Sequence, residues 1–123
     1  MNKEAKRYTP SHEWVADDGT VGITSYASQE LGEVVYVELP QVGREVKAGD
    51  EVAVLESTKA AADIYAPISG KISAINTALS EATSLLNRSP ESEGWLFKIE
   101  PSTHQERSTL LDQEAYQLLV AQQ

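Results

Sequence analysis

A single lysine, Lys59, stands in the middle of the most distinctive stretch of the sequence, residues 56–63. Short apolar runs of strand length lie on both sides of it, at residues 52–55 and 64–66. Glycine, proline and acidic residues bound the two runs, as is typical of strands that are joined by a turn. The pattern therefore predicts a β-hairpin, at about residues 51–67, with Lys59 at its tip.

The neighbours of Lys59 favour a lysine that a modifying enzyme can reach. Three alanines follow it at residues 60–62 and keep the surface around the ammonium group low, while Glu56 and Asp63 flank it with negative charge. A turn lysine taken alone is more often a solvated surface charge. The combination of a hairpin tip and small neighbours is what indicates a site of covalent modification.

The same stretch resembles the lipoyl-lysine segment of the glycine cleavage system H proteins, and the likeness covers nearly the whole chain. Further motifs follow in that family's order and at close to its spacing: Ser11-His12-Glu13-Trp14, Gly22-Ile23-Thr24, Leu31-Gly32-Glu33, Val37-Glu38-Leu39-Pro40, Val42-Gly43, Gly49-Asp50, the run 65–70, residues 76–79, Asn87 and Gly94-Trp95-Leu96. The departures are Ala62, Thr83 and Arg107, where the family often has serine, proline and leucine. None of them touches the lysine.

The resemblance implies a carrier protein rather than an enzyme, with lipoate joined to Lys59 as N6-lipoyllysine. It implies that a lipoate ligase or lipoyl transferase recognises Glu56, Ser57, Thr58 and Ala60. The arm would carry the aminomethyl group of glycine from glycine decarboxylase to an aminomethyltransferase, and dihydrolipoyl dehydrogenase would reoxidise it. Fully extended, lysyl stem and lipoyl chain would reach about 10 to 15 Å from the backbone.

The resemblance also implies a cleft for the loaded arm beside the N-terminal Ser-His-Glu segment. The matching residues are Ser11, Glu13 and, just past the lysine, Asp63. A protonated amine on the arm would prefer carboxylate and hydroxyl partners where water is excluded. On this view, replacing Glu13 by alanine should leave folding intact and shorten the life of the loaded form.

Length and composition set limits on the architecture. A chain of 123 residues, 41% of them hydrophobic, suits a single domain over residues 1–123. No apolar run approaches the 18 or so residues of a membrane span. The absence of cysteine leaves any redox sulfur to a cofactor.

The net charge of −9 argues against nucleic acid and anionic membranes as partners. The charge fits either of two interpretations: it serves solubility alone, or it keeps the protein monomeric and steers it toward partners with basic docking surfaces. Residues 1–7 lead into no hydrophobic stretch, so we expect no secretory signal. The expected setting is the bacterial cytoplasm, or the mitochondrial matrix if a presequence was removed.

No set of residues in the sequence predicts catalysis or metal binding. His12 and His104 have no metal-ligand spacing, and we expect both to be surface or packing residues. There is no phosphate-binding glycine loop and no Gly-x-Ser-x-Gly motif. Trp14 and Trp95 are expected in the core or at its rim. We therefore predict no catalytic residue and no metal.

Many short strands separated by glycine turns predict an all-β sandwich or barrel, and the resemblance implies the lipoyl/biotinyl barrel-sandwich hybrid of two small antiparallel sheets. Strands are predicted at 14–15, 21–24, 34–39, 42–50, 71–75 and 95–99, with a turn at 17–20 and a long loop at 76–93 holding a helical turn near 80–86. A short helix at 25–31 would be capped by Ser25 or Ser28 and ended by Gly32.

The C-terminal segment, at about residues 102–121, is predicted to be a helical extension. Thr103 and Glu106 have capping-box spacing. The apolar residues that recur with helical spacing are Leu111, Ala115, Leu118 and Leu119. We expect this apolar side to lie against the sheets.

Other functions of the same fold remain open at this point. A biotinyl domain normally has methionine on both sides of its lysine, whereas the one methionine here is Met1. A lipoyl domain of a 2-oxo acid dehydrogenase usually has aspartate directly before the lysine, where this chain has Thr58. A relay of lipoyl groups to other proteins and an unmodified interaction module are the remaining alternatives.

Overall fold

The computed structural model describes residues 6–102 and 105–122, which form nine strands and four short helices. The strands are β1 (Arg7–Tyr8), β2 (Glu13–Val15), β3 (Thr20–Ile23), β4 (Val34–Glu38), β5 (Glu45–Val46), β6 (Glu51–Ser57), β7 (Ala61–Tyr65), β8 (Gly70–Ile75) and β9 (Phe97–Pro101). The helices are α1 (Ser25–Leu31), α2 (Leu85–Arg88), α3 (Gln105–Ser108) and α4 (Gln113–Ala121), and a 3-10 turn covers Thr77–Ser80.

The strands make two antiparallel sheets. The larger has six strands in the order β1-β2-β3-β9-β8-β5, and the smaller has three in the order β4-β6-β7. All pairings in both sheets are antiparallel, and neither sheet closes into a barrel within the described residues. The predicted fold of two small antiparallel sheets with short helices is confirmed.

The main core takes side chains from both sheets. Because side chains alternate across a strand, β7 buries Ile64 and exposes its neighbour Asp63. The fully buried aliphatic and aromatic residues are Val15, Val21, Leu55, Ile68, Ile72, Leu79, Leu86, Leu96, Phe97 and Ile99. Each such side chain contributes about 1.5 to 3 kcal/mol by leaving water.

The turn between β2 and β3 is where the sequence predicted it. Gly19 has a φ of +88°, and a Cβ atom there would lie within 2.0 Å of the Ile99 carbonyl oxygen. Only glycine fits a left-handed position this close to another backbone. The turn therefore brings β3 beside β9, which is the central pairing of the larger sheet.

Helix α1 covers the predicted residues, but its N-cap lies one position before Ser25, the nearer of the two predicted caps. Its N-cap is Thr24, whose side chain accepts a hydrogen bond from the Ala27 N–H at 3.2 Å, so the prediction of Ser25 or Ser28 was wrong. Ser28 is buried and donates to the Leu86 carbonyl at 2.8 Å, which joins α1 to α2. Gly32 ends the helix at a φ of +86°, as predicted.

One predicted strand is shorter than expected, and another is shifted by two residues along the chain. Of residues 42–50 only Glu45–Val46 form a strand, because turns occupy the positions before and after it. The last strand begins at Phe97 rather than at residue 95. The long loop holds helix α2 and the 3-10 turn, displaced from the single helical turn predicted at 80–86.

The C-terminal segment is helical in two pieces rather than one. Leu111 forms a β-bridge with Tyr8, which breaks the predicted helix, and Asp112 then caps α4 by accepting from the Ala115 N–H at 2.8 Å. The α4 residue that is buried is Tyr116, whereas Leu118 is 63% exposed. In the predicted capping box, Thr103 lies outside the described residues. The Glu106 carboxylate accepts from the Ser69 N–H and hydroxyl.

A second, aromatic cluster lies under α4. Tyr8 and Tyr116 stack at 4.8 Å between ring centroids, and Trp14 is buried beside them with Trp95 packed at the edge. Trp14 is thus a core residue and Trp95 a rim residue, as expected. Helix α4 covers the N-terminal strands through this cluster.

Candidate functional site

The tip of the β6–β7 hairpin is shaped by one hydroxyl group. Ser57 Oγ accepts hydrogen bonds from the N–H groups of Lys59 at 3.1 Å and Ala60 at 3.0 Å, and the Ser57 N–H donates to the Ala60 carbonyl at 2.7 Å. A serine side chain that binds backbone groups two and three residues ahead fixes a turn locally. Lys59 therefore stands at the hairpin tip, as the sequence predicts, and its side chain is exposed.

The tip is also fixed to the segment between α1 and β4. The Thr58 N–H donates to the Glu33 carbonyl at 3.1 Å. A Cβ atom on Gly32 would lie 3.2 Å from Cε of Lys59, so the lysine stem rests against this glycine. The backbone of the tip is thereby held on two sides, while the ammonium end of Lys59 stays in solvent.

Asn87, in the long loop, holds the segment on which the lysine rests. Its Nδ2 donates to the Gly32 carbonyl at 2.7 Å, and its Oδ1 accepts from the Val34 N–H at 3.0 Å. An amide side chain that bonds both sides of Glu33 supports the carbonyl to which Thr58 binds. Sequence reasoning noted Asn87 and the loop but gave neither a role, because the partners are backbone atoms more than fifty positions away.

The acidic neighbours of Lys59 lie on the solvent side of the small sheet. Glu56 pairs with Ala61 and Asp63 pairs with Val54, so the two carboxylates occupy neighbouring rows, and both are exposed. Thr58 and Ala60 are exposed as well, and Ser57 is half-buried in the turn. Five residues predicted around the lysine are thus brought together at one end of the sheet.

Glu13 is placed quite differently from Lys59. It is 1% exposed, and its Oε1 accepts from the hydroxyl groups of Thr9 at 2.5 Å and Ser11 at 2.7 Å. Its Oε2 accepts from the Tyr65 N–H at 3.0 Å, at the outer edge of β7. A buried carboxylate with three such bonds stabilises the fold. The expectation that Glu13→Ala leaves folding intact conflicts with this burial.

The three residues predicted to form the arm cleft are only partly brought together. Ser11 bonds Glu13 directly, and Asp63 lies two residues before Tyr65 on β7. Because residues 58–60 form the turn, extended spacing gives upper limits of about 13 Å from Lys59 to Asp63 and about 20 Å from Lys59 to Tyr65. An arm of about 10 to 15 Å therefore reaches the level of Asp63, and Glu13 lies farther along β7, at Tyr65.

His12 ties the Ser11–Glu13 segment to α4. Its Nδ1 is 2.7 Å from the hydroxyl of Tyr116, which is also 2.7 Å from Thr24 Oγ1. Burial raises the pKa of the Tyr116 hydroxyl, and the hydrogen bond between Tyr116 and Thr24 acts in the opposite direction. His12 is a half-buried packing residue, as predicted, whereas His104 lies outside the described residues.

Comparison with known proteins supplies the family. The family model described as "Glycine cleavage H-protein" matches residues 6–123. The chain belongs to this family.

Individual relatives match this chain over almost their full length. The glycine cleavage system H protein of Thermotoga maritima is 55% identical over 121 residues, which are 96% of this chain and 98% of that protein. The H protein of Deinococcus deserti is 58% identical over 110 residues, 89% of this chain and 90% of that protein. A crystal structure of an H protein from Mycobacterium marinum matches with a TM-score of 0.87 and 35% identity, covering 98% of this chain and 99% of that one.

Family membership settles the general role. The chain is a lipoyl carrier protein of the glycine cleavage system, not an enzyme, and its partners belong to that system. The described residues contain no group of three or more histidine, cysteine, aspartate or glutamate side chains that could hold a metal. Across the same residues, no helix has the length and apolar character needed to cross a membrane.

Proposed function

We propose that Lys59 carries lipoate as an amide and that this chain takes the aminomethyl group of glycine from glycine decarboxylase to the aminomethyltransferase. The observation that supports this most strongly is an exposed lysine on a turn whose backbone is fixed by Ser57 and by Glu33. A fixed attachment point with a free stem lets one arm enter several active sites in turn. When bound, lipoate would supply a dithiolane that opens to accept the carried group, and dihydrolipoyl dehydrogenase would reoxidise the dithiol that remains after the group is released.

The residues around Lys59 fit such a group. Ala60 and Ala61 are exposed and small, and Gly32 has no side chain on the surface where the lysine stem lies. Joining the amine to a carboxyl group removes the positive charge at the tip and lengthens a stem that already points into solvent. Nothing in the turn has to move, because its hydrogen bonds involve backbone atoms and Ser57 alone.

For attachment, we assign the four predicted recognition residues different tasks. Glu56 offers an exposed carboxylate three residues before the lysine. Ser57 and Thr58 present the turn through their hydrogen bonds, and Ala60 contributes by being small. The attaching enzyme is a lipoate ligase or a lipoyl transferase, and the bacterial cytoplasm is the setting we propose, with the chain acting as a monomer.

For the carried amine, the strand positions favour Asp63 as the first partner. Its carboxylate is exposed and within reach of the arm, and an ammonium group forms its strongest hydrogen bonds with carboxylates. Ser11 and Glu13 then form the far wall of the cleft, although Glu13 is buried and already accepts hydrogen bonds at both carboxylate oxygens. Asp63 is therefore proposed as the residue that protects the carried group.

Intact-mass measurement of native protein, followed by peptide mapping, tests the attachment. The expected result is one lipoyl group on the peptide that contains Lys59. Attachment to Lys47 or Lys71, both exposed, would contradict the proposal. For the amine, Asp63→Asn should shorten the life of the loaded form, whereas Glu38→Gln, a carboxylate in the same row of the sheet, should not.

A further inference from the structure

Edge strand β4 exposes two large apolar side chains beside the lysine hairpin. Val35 is 53% exposed and Tyr36 is 50% exposed. The other large hydrophobic residues exposed in the described part of the chain are Val42 and Leu118, at 58% and 63%, and they belong to a turn and to α4. Two adjacent exposed apolar residues on a strand are unusual, because alternate residues normally face opposite sides.

A β-bulge is the cause of this exposure. Val34 pairs with Ser57 and Tyr36 with Glu56, so Val35 and Tyr36 together oppose one residue of β6. Val34 before the bulge is buried, and Val37 after it packs on the core. Without the extra residue, regular alternation would turn Tyr36 inward and Val37 outward. The bulge therefore directs an aromatic side chain outward next to the strand that leads to Lys59.

The rest of this surface is acidic. In the register of the small sheet, Tyr36 shares a row with Glu56 and Ala61, and the next row holds Glu38, Val54 and Asp63. We call this set of residues, with Val35, the lysine-sheet face. Within residues 33–38 and 51–65, Lys59 is the one cationic residue. Acylation would remove that charge and leave an apolar pair beside a group of carboxylates.

The length of the lysine stem decides which partner must cover this face. The bare side chain reaches only about 6 Å from its Cα atom, counted over five bonds. An enzyme that acts on the amine itself has to bring its active site that close to the hairpin tip. Enzymes that act on the end of the finished arm, at about 10 to 15 Å, do not.

We infer that the lysine-sheet face is the docking surface for the enzyme that acylates Lys59, a partner that offers an apolar pocket to Tyr36 and Val35 inside a rim of arginine or lysine. This inference rests on the proposed attachment of lipoate to Lys59. The covalent step joins Nζ to the carbonyl carbon of a lipoyl adenylate and breaks the bond to phosphate. AMP leaves, and the ammonium group gives two protons to solvent.

The interface has the composition of a binding hot spot. Buried tyrosine residues at the centre of an interface carry much of its affinity, and a rim of charges mainly raises the association rate. Tyr36 projects from the edge strand, with the carboxylates of Glu38 and Glu56 beside it and that of Asp63 on the far strand of the sheet. The predicted division is that Tyr36 controls how tightly the enzyme binds and that the carboxylates control how fast it arrives.

Acylation kinetics with purified lipoate ligase, lipoate and ATP test the inference. Tyr36→Thr keeps a β-forming residue and should raise KM for the carrier about tenfold while kcat stays within about twofold. Val35→Thr should have a smaller effect in the same direction. Val42→Thr and Leu118→Gln are matched controls that remove equally exposed apolar residues, and both should leave KM within about twofold of the original value.

A competition assay separates docking from chemistry. The Lys59→Arg variant cannot be acylated and should inhibit acylation of the unaltered carrier, whereas the double variant with Tyr36→Thr should inhibit about tenfold more weakly. Glu38→Gln and Glu56→Gln should slow acylation at low salt and lose this effect at high salt. Circular dichroism and thermal unfolding should show every variant folded, because each change is at an exposed position.

Unchanged KM for Tyr36→Thr, or an equal rise for Val42→Thr, would overturn the inference while the attachment to Lys59 stands. Loss of exchange with glycine decarboxylase alone, with normal acylation, would assign the face to that later partner and would also overturn it. If the unaltered chain accepts no lipoyl group at Lys59, the proposed function fails first and the inference falls with it.

Discussion

The hairpin tip and the Ser11–Glu13 segment both carry residues assigned to the lipoyl arm, yet they are held in opposite ways. At the tip, the Ser57 hydroxyl and the Glu33 carbonyl hold the backbone and leave the Lys59 side chain in solvent. In the other segment, the Glu13 side chain itself makes the bonds and is buried. Lys59, whose side chain has to extend to other proteins, is free at its amino end. Glu13, which was assigned to the arm cleft, also stabilises the fold through its own hydrogen bonds.

The largest expected effect is the loss of carrier activity in Lys59→Arg. Arginine keeps the charge and nearly the length of lysine but offers no amine to acylate. The free energy of unfolding should change by no more than about 0.5 kcal/mol, because the side chain is exposed. Glycine-dependent turnover with the partner enzymes measures the first expectation and chemical denaturation the second. A large loss of stability would show that the lysine also supports the fold.

Glu13→Ala should show the reverse behaviour, with a loss of about 2 to 3 kcal/mol in the free energy of unfolding. The truncation leaves the Tyr65 N–H and two hydroxyl groups without their partner. Glu13→Gln is the matched control, since its carbonyl can accept from Tyr65 while its amide donates to the hydroxyl groups of Thr9 and Ser11. Urea unfolding curves compare the two, and equal stability of both variants with the original would contradict the structural role.

Asn87→Ala tests whether the tip depends on support from outside the hairpin. Removal of the side chain should cost about 1 kcal/mol and speed hydrogen exchange at the Thr58 and Val34 N–H groups. Acylation of Lys59 should slow severalfold, because the segment under the lysine stem is then less fixed. Arg88→Ala, at the next and equally exposed position, is the control. Unchanged exchange at Thr58 would show that Glu33 needs no support from the loop.

The smallest expected effect is a loss of stability at alkaline pH. It should be confined to the aromatic cluster of Tyr8 and Tyr116, which contacts the Ser11–Glu13 segment through His12. Burial raises the pKa of Tyr8 and of Tyr116, so the folded state favours their protonated forms. Their contribution to stability is therefore complete below the ordinary tyrosine value of about 10 and is lost as pH rises through the raised values. Near-ultraviolet circular dichroism should report loosening of α4 above that pH. Tyr116→Phe should flatten the dependence, and an unchanged slope would exclude a contribution from Tyr116.

The features that the sequence predicted correctly are those determined by residues close to one another in the chain. The lysine hairpin, the Gly19 turn and the end of α1 at Gly32 follow from short apolar runs bounded by residues that favour turns. The N-cap of α1 was misplaced because Thr24 and Ser25 are both good caps, and only the hydrogen bond from Ala27 distinguishes them. The assignment of Lys59 as the attachment site comes from the family motif and stays a prediction.

What the sequence could not predict depends on partners far along the chain. The break between α3 and α4 follows from the bridge of Leu111 to Tyr8, and the burial of Glu13 follows from the N–H of Tyr65. The clamp of Asn87 is formed with backbone atoms of Gly32 and Val34. Backbone groups carry no sequence signature, so pattern reading cannot identify them as partners.

The strand order also determines which of the two sheets can form first while the chain is being synthesised. The β4-β6-β7 sheet pairs segments that all lie within residues 34–65, so its loops are short and close at low entropic cost. Strand β9 is made late, yet it lies between β3 and β8 and pairs Val21 with Phe97. The pairings of the lysine-bearing sheet are therefore available before those of the larger sheet, which cannot be completed until β9 has been made.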